Sequence, residues 1–538
     1  MPRSLKPLLG AERKEHPAKP RSSKILPLIG IFLLWWILTA LIYHQTQSNF
    51  LRAESGWYLL LSHSTPDIRH GFEKALLIKS YHGHYAPFAS LAEFATARLA
   101  GTHARFWRWR QITVLGVLAT TLFLCARNSG CALQLSRLKA NLCAVGVTAI
   151  LIFQVQMRDF IAWPFMIMQL FWLLCTVMAL LSLVQTVRRP AEVLWPWLAA
   201  GAAYGSLHFL GLGLATVAAT AAVLAGIWLE TRHRASSEAS KIPVPLLSMI
   251  ALTSFHALFM LQFDQAEAIV VSPGWQPASF LMASLAFIPS LVLATLRGLF
   301  GTGQLTLSAE HSSQDWPYGL AILLSFGFLV TSSFSRSWRE PTTRNRARFI
   351  LQTFASVSFL MMIALIAVRE WREPAPHGFA DYLMGARHLI PSAFALAGVL
   401  SELLFLGASA PILLSAMLNV GLAVCAITGN LQHAANVYPK LSPKSMISHA
   451  VAWKSIVAMA RECRSANLAI PNVPIGALTQ EFGDWDLKLF EPLLRADLQV
   501  PPSTSLQFVA WNELTNEYYR DVPSLVKVER TLKLEAKK

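Results

Sequence analysis

The chain has 538 residues, of which 54% are hydrophobic and only 14% charged, whereas soluble domains carry about 25% charged residues. Several apolar runs reach the roughly 20 residues that cross a hydrocarbon core, so length here counts membrane spans, and a water-soluble globular enzyme is excluded. The net charge of +16, from 46 Lys and Arg against 30 Asp and Glu, reads as cytoplasmic loop charge and not as a nucleic-acid surface.

Residues 1–24 hold Arg3, Lys6, Arg13, Lys14, Lys19, Arg21 and Lys24 with little apolar content, which predicts a basic, disordered cytoplasmic arm. The run 25–44 is too long for a signal-peptide core and no small-residue cleavage site follows, so it reads as an uncleaved anchor crossing outward. Residues 45–110 then form a long polar extracytoplasmic loop, closed by "FWRWRQ" (106–111), whose alternating Trp and Arg suit the headgroup layer. Within the loop, "SYHGHYAPFASL" (80–91) carries His82 and His84 ahead of Pro87. An H-x-H pair could chelate a metal, but no third ligand stands at a useful spacing. Pro87 instead predicts the first turn of an amphipathic helix lying on the membrane, with Phe88, Leu91, Phe94, Ala95 and Leu99 on one face. His84 and Tyr85 would sit at its N-terminal end, where backbone N–H groups favour phosphate.

Further spans are expected at 111–126, 139–156, 161–185, 194–208, 210–229 and 244–262. The Arg/Lys-bearing segments "ARNSGCALQLSRLK", "TVRRPAEV" and "ETRHRASSEASK" all fall on the inner side if these spans alternate. A crossing at 277–300 would put the basic "SRSWREPTTRNRAR" (335–348) outside, against the positive-inside rule. Pro289 and Arg297 favour a re-entrant or interfacial 277–300, with residues 264–316 outside. Spans at 317–334, 348–368, 388–407 and 409–428 complete the polytopic domain, 25–428. The remainder, 429–538, is charged and proline-rich and predicts a small, mainly helical extracytoplasmic domain. In it "SMISHAVAWKSIVAMARECR" spaces Ile447, Val451, Lys454, Val457 and Met459 helically. His208 and His256 are each single within apolar runs and read as interhelical hydrogen-bonding groups. The six cysteines show no C-x-x-C spacing, which argues against a disulfide framework or a zinc site.

The order of these features across residues 50–126 resembles the GT-C superfamily of polytopic glycosyltransferases, which use polyprenyl-phosphate sugars as donors. Glu54 stands where the family's acidic pair would be, with Trp57 and Leu60 after it, and His84, Tyr85, Pro87 and Phe88 match its second motif. "FADYLMGARHLIPSAFAL" (379–396) resembles the family's arginine-bearing late segment, with Arg387 matching the phosphate-binding arginine, His388 replacing its tyrosine and Pro391 following. The resemblance implies an all-α integral membrane protein, a GT-C-like bundle of about 11–13 transmembrane helices in a bacterial inner membrane. It also implies sugar transfer, with inversion, from a polyprenyl-phosphate donor to an extracytoplasmic acceptor. The chain departs from the family in having one acid, "AES", where two are expected. Asp159 in "QMRDFIAWPF", beside Arg158, is the candidate second acid. Such a reaction needs a carboxylate base for the acceptor hydroxyl and a cation, from Arg387 or a divalent metal, for the leaving phosphate. A transporter is a competing reading, but it predicts paired half-sequences and midplane charges, neither of which is visible. A member that has lost catalysis and binds lipid or scaffolds other proteins is the second competitor.

Overall fold

The computed structural model describes residues 25–65, 67–77, 86–263, 316–370, 411–432, 449–479, 485–501, 503–511 and 522–532, with isolated helical residues between 285 and 295, between 390 and 395, and at 434. Among them the chain is helical almost throughout. The elements that open it are α1 (Ile25–Tyr43), α2 (Ala53–Ser64), α3 (Ile68–Leu77), α4 (Pro87–Ala100), α5 (Ala104–Ala132), α6 (Arg137–Ile152), α7 (Met157–Ala162) and α8 (Ile167–Arg188). The middle holds α9 (Leu194–Leu207), α10 (Gly213–His233), α11 (Pro243–Phe263), α12 (Trp316–Arg339), α13 (Thr343–Glu370) and α14 (Ile412–Gln432). The C-terminal unit contains α15 (His449–Ser465), α16 (Gly476–Thr479), α17 (Glu491–Leu498) and α18 (Pro523–Leu532). Its one small sheet pairs β1 (Ile470–Asn472) in parallel with β2 (Phe508–Ala510).

Among the described residues, eight helical segments are long and apolar enough to cross a membrane: α1, α5, α8 with its leading turn, α10, α11, α12, α13 and α14. Two more, α6 with 16 residues and α9 with 14, are about 24 and 21 Å long at 1.5 Å per residue. Each packs lengthwise against long neighbours, α6 on α5 and α14, α9 on α8, α10 and α11. The all-α membrane architecture is thus present. The segments 277–300 and 388–407 lie largely outside the described residues. The expected span at 161–185 is present at Pro164–Arg188. Pro164, which lacks an N–H, opens it with a 3-10 turn at Pro164–Met166. That turn separates the short α7, with Asp159 in its first turn, from α8.

The bundle has two distinct faces. On one, Glu230 at the end of α10 meets Arg346 at the start of α13, with Nη2 3.0 Å from Oε1, and Arg346 also bonds Glu238 at 3.1 Å. Lys241 donates to the carbonyls of Pro190 and Ala191 at 3.1 Å, Arg188 to Asn128, and Arg234 to the Trp338 carbonyl. All four basic segments singled out in the sequence therefore gather on one face. On the opposite face lie α2, α4, α7 and the C-terminal unit. There Asp497 of α17 accepts from Thr102 Oγ1 at 2.9 Å and from Trp453 Nε1 at 2.6 Å, so the first loop and the last segment share one side.

The two amphipathic helices keep most of their expected faces. In α4 the buried residues are Pro87, Ala89, Ser90, Glu93, Phe94, Thr96, Ala97 and Ala100, while Phe88 and Leu99 are exposed, as a face laid on the membrane requires, and Phe94 departs from it. A helix beside lipid turns small and polar groups inward, because the surroundings are as apolar as any core. In α15 the buried face includes Ala452, Trp453, Ile456, Val457, Met459, Ala460 and Cys463, with Val451 exposed. The run "FWRWRQ" is also more than interface anchoring. Trp107 is fully buried, donating to the Gly101 carbonyl at 2.9 Å, and Arg110 forms an internal ion pair.

Candidate functional site

The face that carries the C-terminal unit is where chemistry-bearing residues converge. The chain leaves α1 through an irregular stretch whose Asn49 N–H donates to the Ala162 carbonyl at 2.8 Å, tying it to the end of α7. It then turns sharply into α2. A Cβ on Gly56 would stand 2.4 Å from the Leu51 carbonyl oxygen, so this turn requires glycine. The turn presents Arg52 and Glu54 together. The Arg52 guanidinium lies over the Trp163 ring, 4.2 Å from its centre, a cation–π contact worth about 0.5–2 kcal/mol depending on desolvation.

Asp159 lies within electrostatic reach of this guanidinium. It reaches solvent although protein packs closely around its carboxyl. Burial pushes its carboxyl upward, and the Arg52 charge pulls it back. His449, at the start of α15, closes the other side. It is 1% exposed, and burial, then the charge of Arg52, pushes its imidazole down to about 3, so it is neutral. Phe50 meets it edge-on at 6.3 Å. Among the described residues, both His449 ring nitrogens, Ser48 Oγ, Asn49 Oδ1 and both amide atoms of Gln156 are buried without a hydrogen-bond partner. Native interiors hold few such groups. Their gathering along residues 48–52, 156–163 and 449 suits a guest rich in hydrogen-bonding groups.

Glu54 is half-buried in the first turn of α2, where the helix dipole favours its charge. Its field and that of Glu93 both reach Tyr58, whose hydroxyl donates to Ser90 Oγ at 2.6 Å. Trp57 packs its edge against Tyr58, with ring centres 4.9 Å apart. Arg158 has a different position from its neighbour: it is 5% exposed and turns toward the end of α1. There it donates to Thr46 Oγ1 at 3.0 Å and the Ile42 carbonyl at 3.2 Å. Glu54, Trp57 and Asp159 thus share one face, whereas Arg158 anchors a helix end. His84, Tyr85, Arg387 and His388 lie outside the described residues.

Sequence reasoning missed Arg52, Trp163, His449 and Glu93. Arg52 stands two residues before Glu54, so proximity was the available signal. His449 and Trp163 come from distant segments and gave none. The donor set does not suit a divalent cation: the carboxylates stand beside a guanidinium, and among the described residues no three His, Cys, Asp or Glu side chains come together as a metal cluster. No family model matches the chain, and no curated protein matches it.

Proposed function

We propose that the chain is a membrane glycosyltransferase, moving a sugar from a polyprenyl-phosphate donor to an acceptor on the face that carries the C-terminal unit. The observation that carries this reading is the Arg52–Asp159–His449 cluster, on the face that carries the C-terminal unit and Glu54. The four basic segments on the opposite face support a cytoplasmic assignment of that face through the positive-inside rule, and with it an extracytoplasmic cluster, as in a bacterial inner membrane. In this reading the bilayer holds the polyprenyl chain, and the cluster receives its headgroup.

Asp159 is the better base of the two acids, because burial raises its affinity for a proton. In the reaction the Asp159 carboxylate takes the acceptor's hydroxyl proton as the oxygen attacks the anomeric carbon. The bond from that carbon to the donor phosphate breaks with inversion, and the lipid phosphate leaves with the electron pair. Arg52, pre-positioned on Trp163, neutralises the charge that develops there. Glu54 orients sugar hydroxyls at the mouth. Arg387, through the family resemblance, is a second candidate cation for the phosphate.

The test is sugar transfer in membranes supplied with radiolabelled polyprenyl-phosphate sugars. Asp159→Asn and Arg52→Met each lower transfer at least about 100-fold, and Glu54→Gln lowers it as well, at unchanged protein abundance. Full transfer in both D159N and R52M overturns the assignment.

A further inference from the structure

His208 and His256 are solitary in the sequence, 48 positions apart in two apolar runs, but the fold brings their rings together. His208 caps the end of α9, and His256 lies in the last third of α11. Their ring centres are 5.0 Å apart with the planes at 85°. Tyr204, one turn before His208, meets it edge-on at 4.9 Å and His256 at 6.5 Å. Phe88 of α4 covers His208 at 4.9 Å, and its backbone N–H donates to the His208 carbonyl at 3.1 Å. His208 Nδ1 is a buried atom with no hydrogen-bond partner among the described residues.

We propose that this pair is a binding site for one borderline divalent transition ion, of the Zn²⁺, Ni²⁺ or Cu²⁺ class. The spacing carries the argument. An imidazole–metal bond of about 2.1 Å, plus about 1.1 Å from ring nitrogen to ring centre, puts each centre roughly 3.2 Å from a shared ion. Two such rings at 90–110° about the ion then stand roughly 4.5–5.2 Å apart. The observed 5.0 Å falls within that interval. An ion there accepts a lone pair from each neutral ring, leaves further positions to water, and gives His208 Nδ1 a partner where lipid cannot supply one. Imidazole donors select this class over Mg²⁺ or Ca²⁺. Because α4 is seated on His208 through Phe88, the ion would also hold the first loop against α9 and α11. The site shares no residue with the Arg52–Asp159–His449 cluster and does not depend on the transferase reading.

The experiment uses the full chain, purified in detergent without a polyhistidine tag, stripped with chelator and titrated with Zn²⁺ against a chromophoric competitor. The wild-type protein retains one equivalent that is lost in His208→Gln and in His256→Gln, with affinity at least tenfold weaker in each. His70→Ala, at an exposed histidine (side chain 56% accessible), binds as the wild type does. The thermal midpoint rises with Zn²⁺ in the wild type and not in either Gln variant. Because the two substitutions are on different helices, one that fails to fold leaves the other to decide. Retention of the equivalent in a folded H208Q or H256Q, or no equivalent in the wild type, overturns the proposal.

Discussion

Arg110→Met tests how the first loop is fastened to the bundle. Arg110, near the start of α5, donates to Glu93 Oε1 at 2.7 Å, Thr96 Oγ1 at 2.8 Å, the Pro164 carbonyl at 2.7 Å and Gln111 Oε1 at 3.2 Å. One guanidinium thus joins α4, α5 and the turn that follows α7. Methionine keeps the length but leaves the Glu93 carboxyl, which is 0% exposed, without its charge partner. Breaking a buried pair from one side costs about 3–5 kcal/mol, and proton uptake by Glu93 limits that cost at low pH. In the intact protein, burial raises the Glu93 carboxyl and Arg110 opposes the rise; without Arg110 it rises further. A carboxyl raised on folding contributes stability fully present below its unfolded value of about 4.3, and lost as pH climbs through the folded value. The R110M deficit is therefore small near pH 5 and reaches the full ~3–5 kcal/mol near pH 8. Adding Glu93→Gln removes the stranded charge, restores much of the loss and flattens the pH response. Thermal midpoints in detergent from pH 5 to 8, read by tryptophan fluorescence, measure all three proteins. An equal deficit at both pH extremes, or a double variant no better than R110M, refutes the reasoning.

Two further outcomes follow from the same electrostatics. Arg346→Met leaves Glu230, which is 2% exposed, with only Arg234 at 3.9 Å and the Ser337 hydroxyl at 3.0 Å, and destabilises by about 2–3 kcal/mol. Arg69→Ala, in a pair whose arginine is 88% exposed, costs at most about 1 kcal/mol; similar midpoints for the two variants contradict this ranking. Asp497→Ala removes the shared acceptor of Thr102 and Trp453, costs about 1–3 kcal/mol, and speeds tryptic release of the C-terminal segment while the membrane-embedded fragment persists. An unchanged cleavage rate would show that Asp497 does not fasten that unit.

Most of the membrane architecture was legible because its signals are local. A run such as 25–44 is apolar enough to cross whatever it packs against, and the helix beginning at Pro87 follows from that residue's fixed φ. The gathering of four basic segments on one face followed from charge alone, because the energy that keeps Arg and Lys out of hydrocarbon acts on each loop separately. Glu54 and Asp159 entered as candidates through the family resemblance, and the fold puts both on the face that carries the C-terminal unit. The outward face of α4, with Phe88 and Leu99, was legible, but the partners of its inward polar groups Ser90 and Glu93 were not, because they come from other helices. The "FWRWRQ" run likewise carried no sign that Arg110 would be paired with a residue on another helix.

Composition and periodicity settled that this chain spans a membrane with helices, and which loops share a side, because both depend on transfer energies summed over neighbouring residues. Only the tertiary structure placed Arg52 on Trp163 between Asp159 and His449, and set His208 beside His256. Those groups are tens to hundreds of positions apart, and contacts of that kind are decided by how helices pack, a property that no local stretch of sequence encodes.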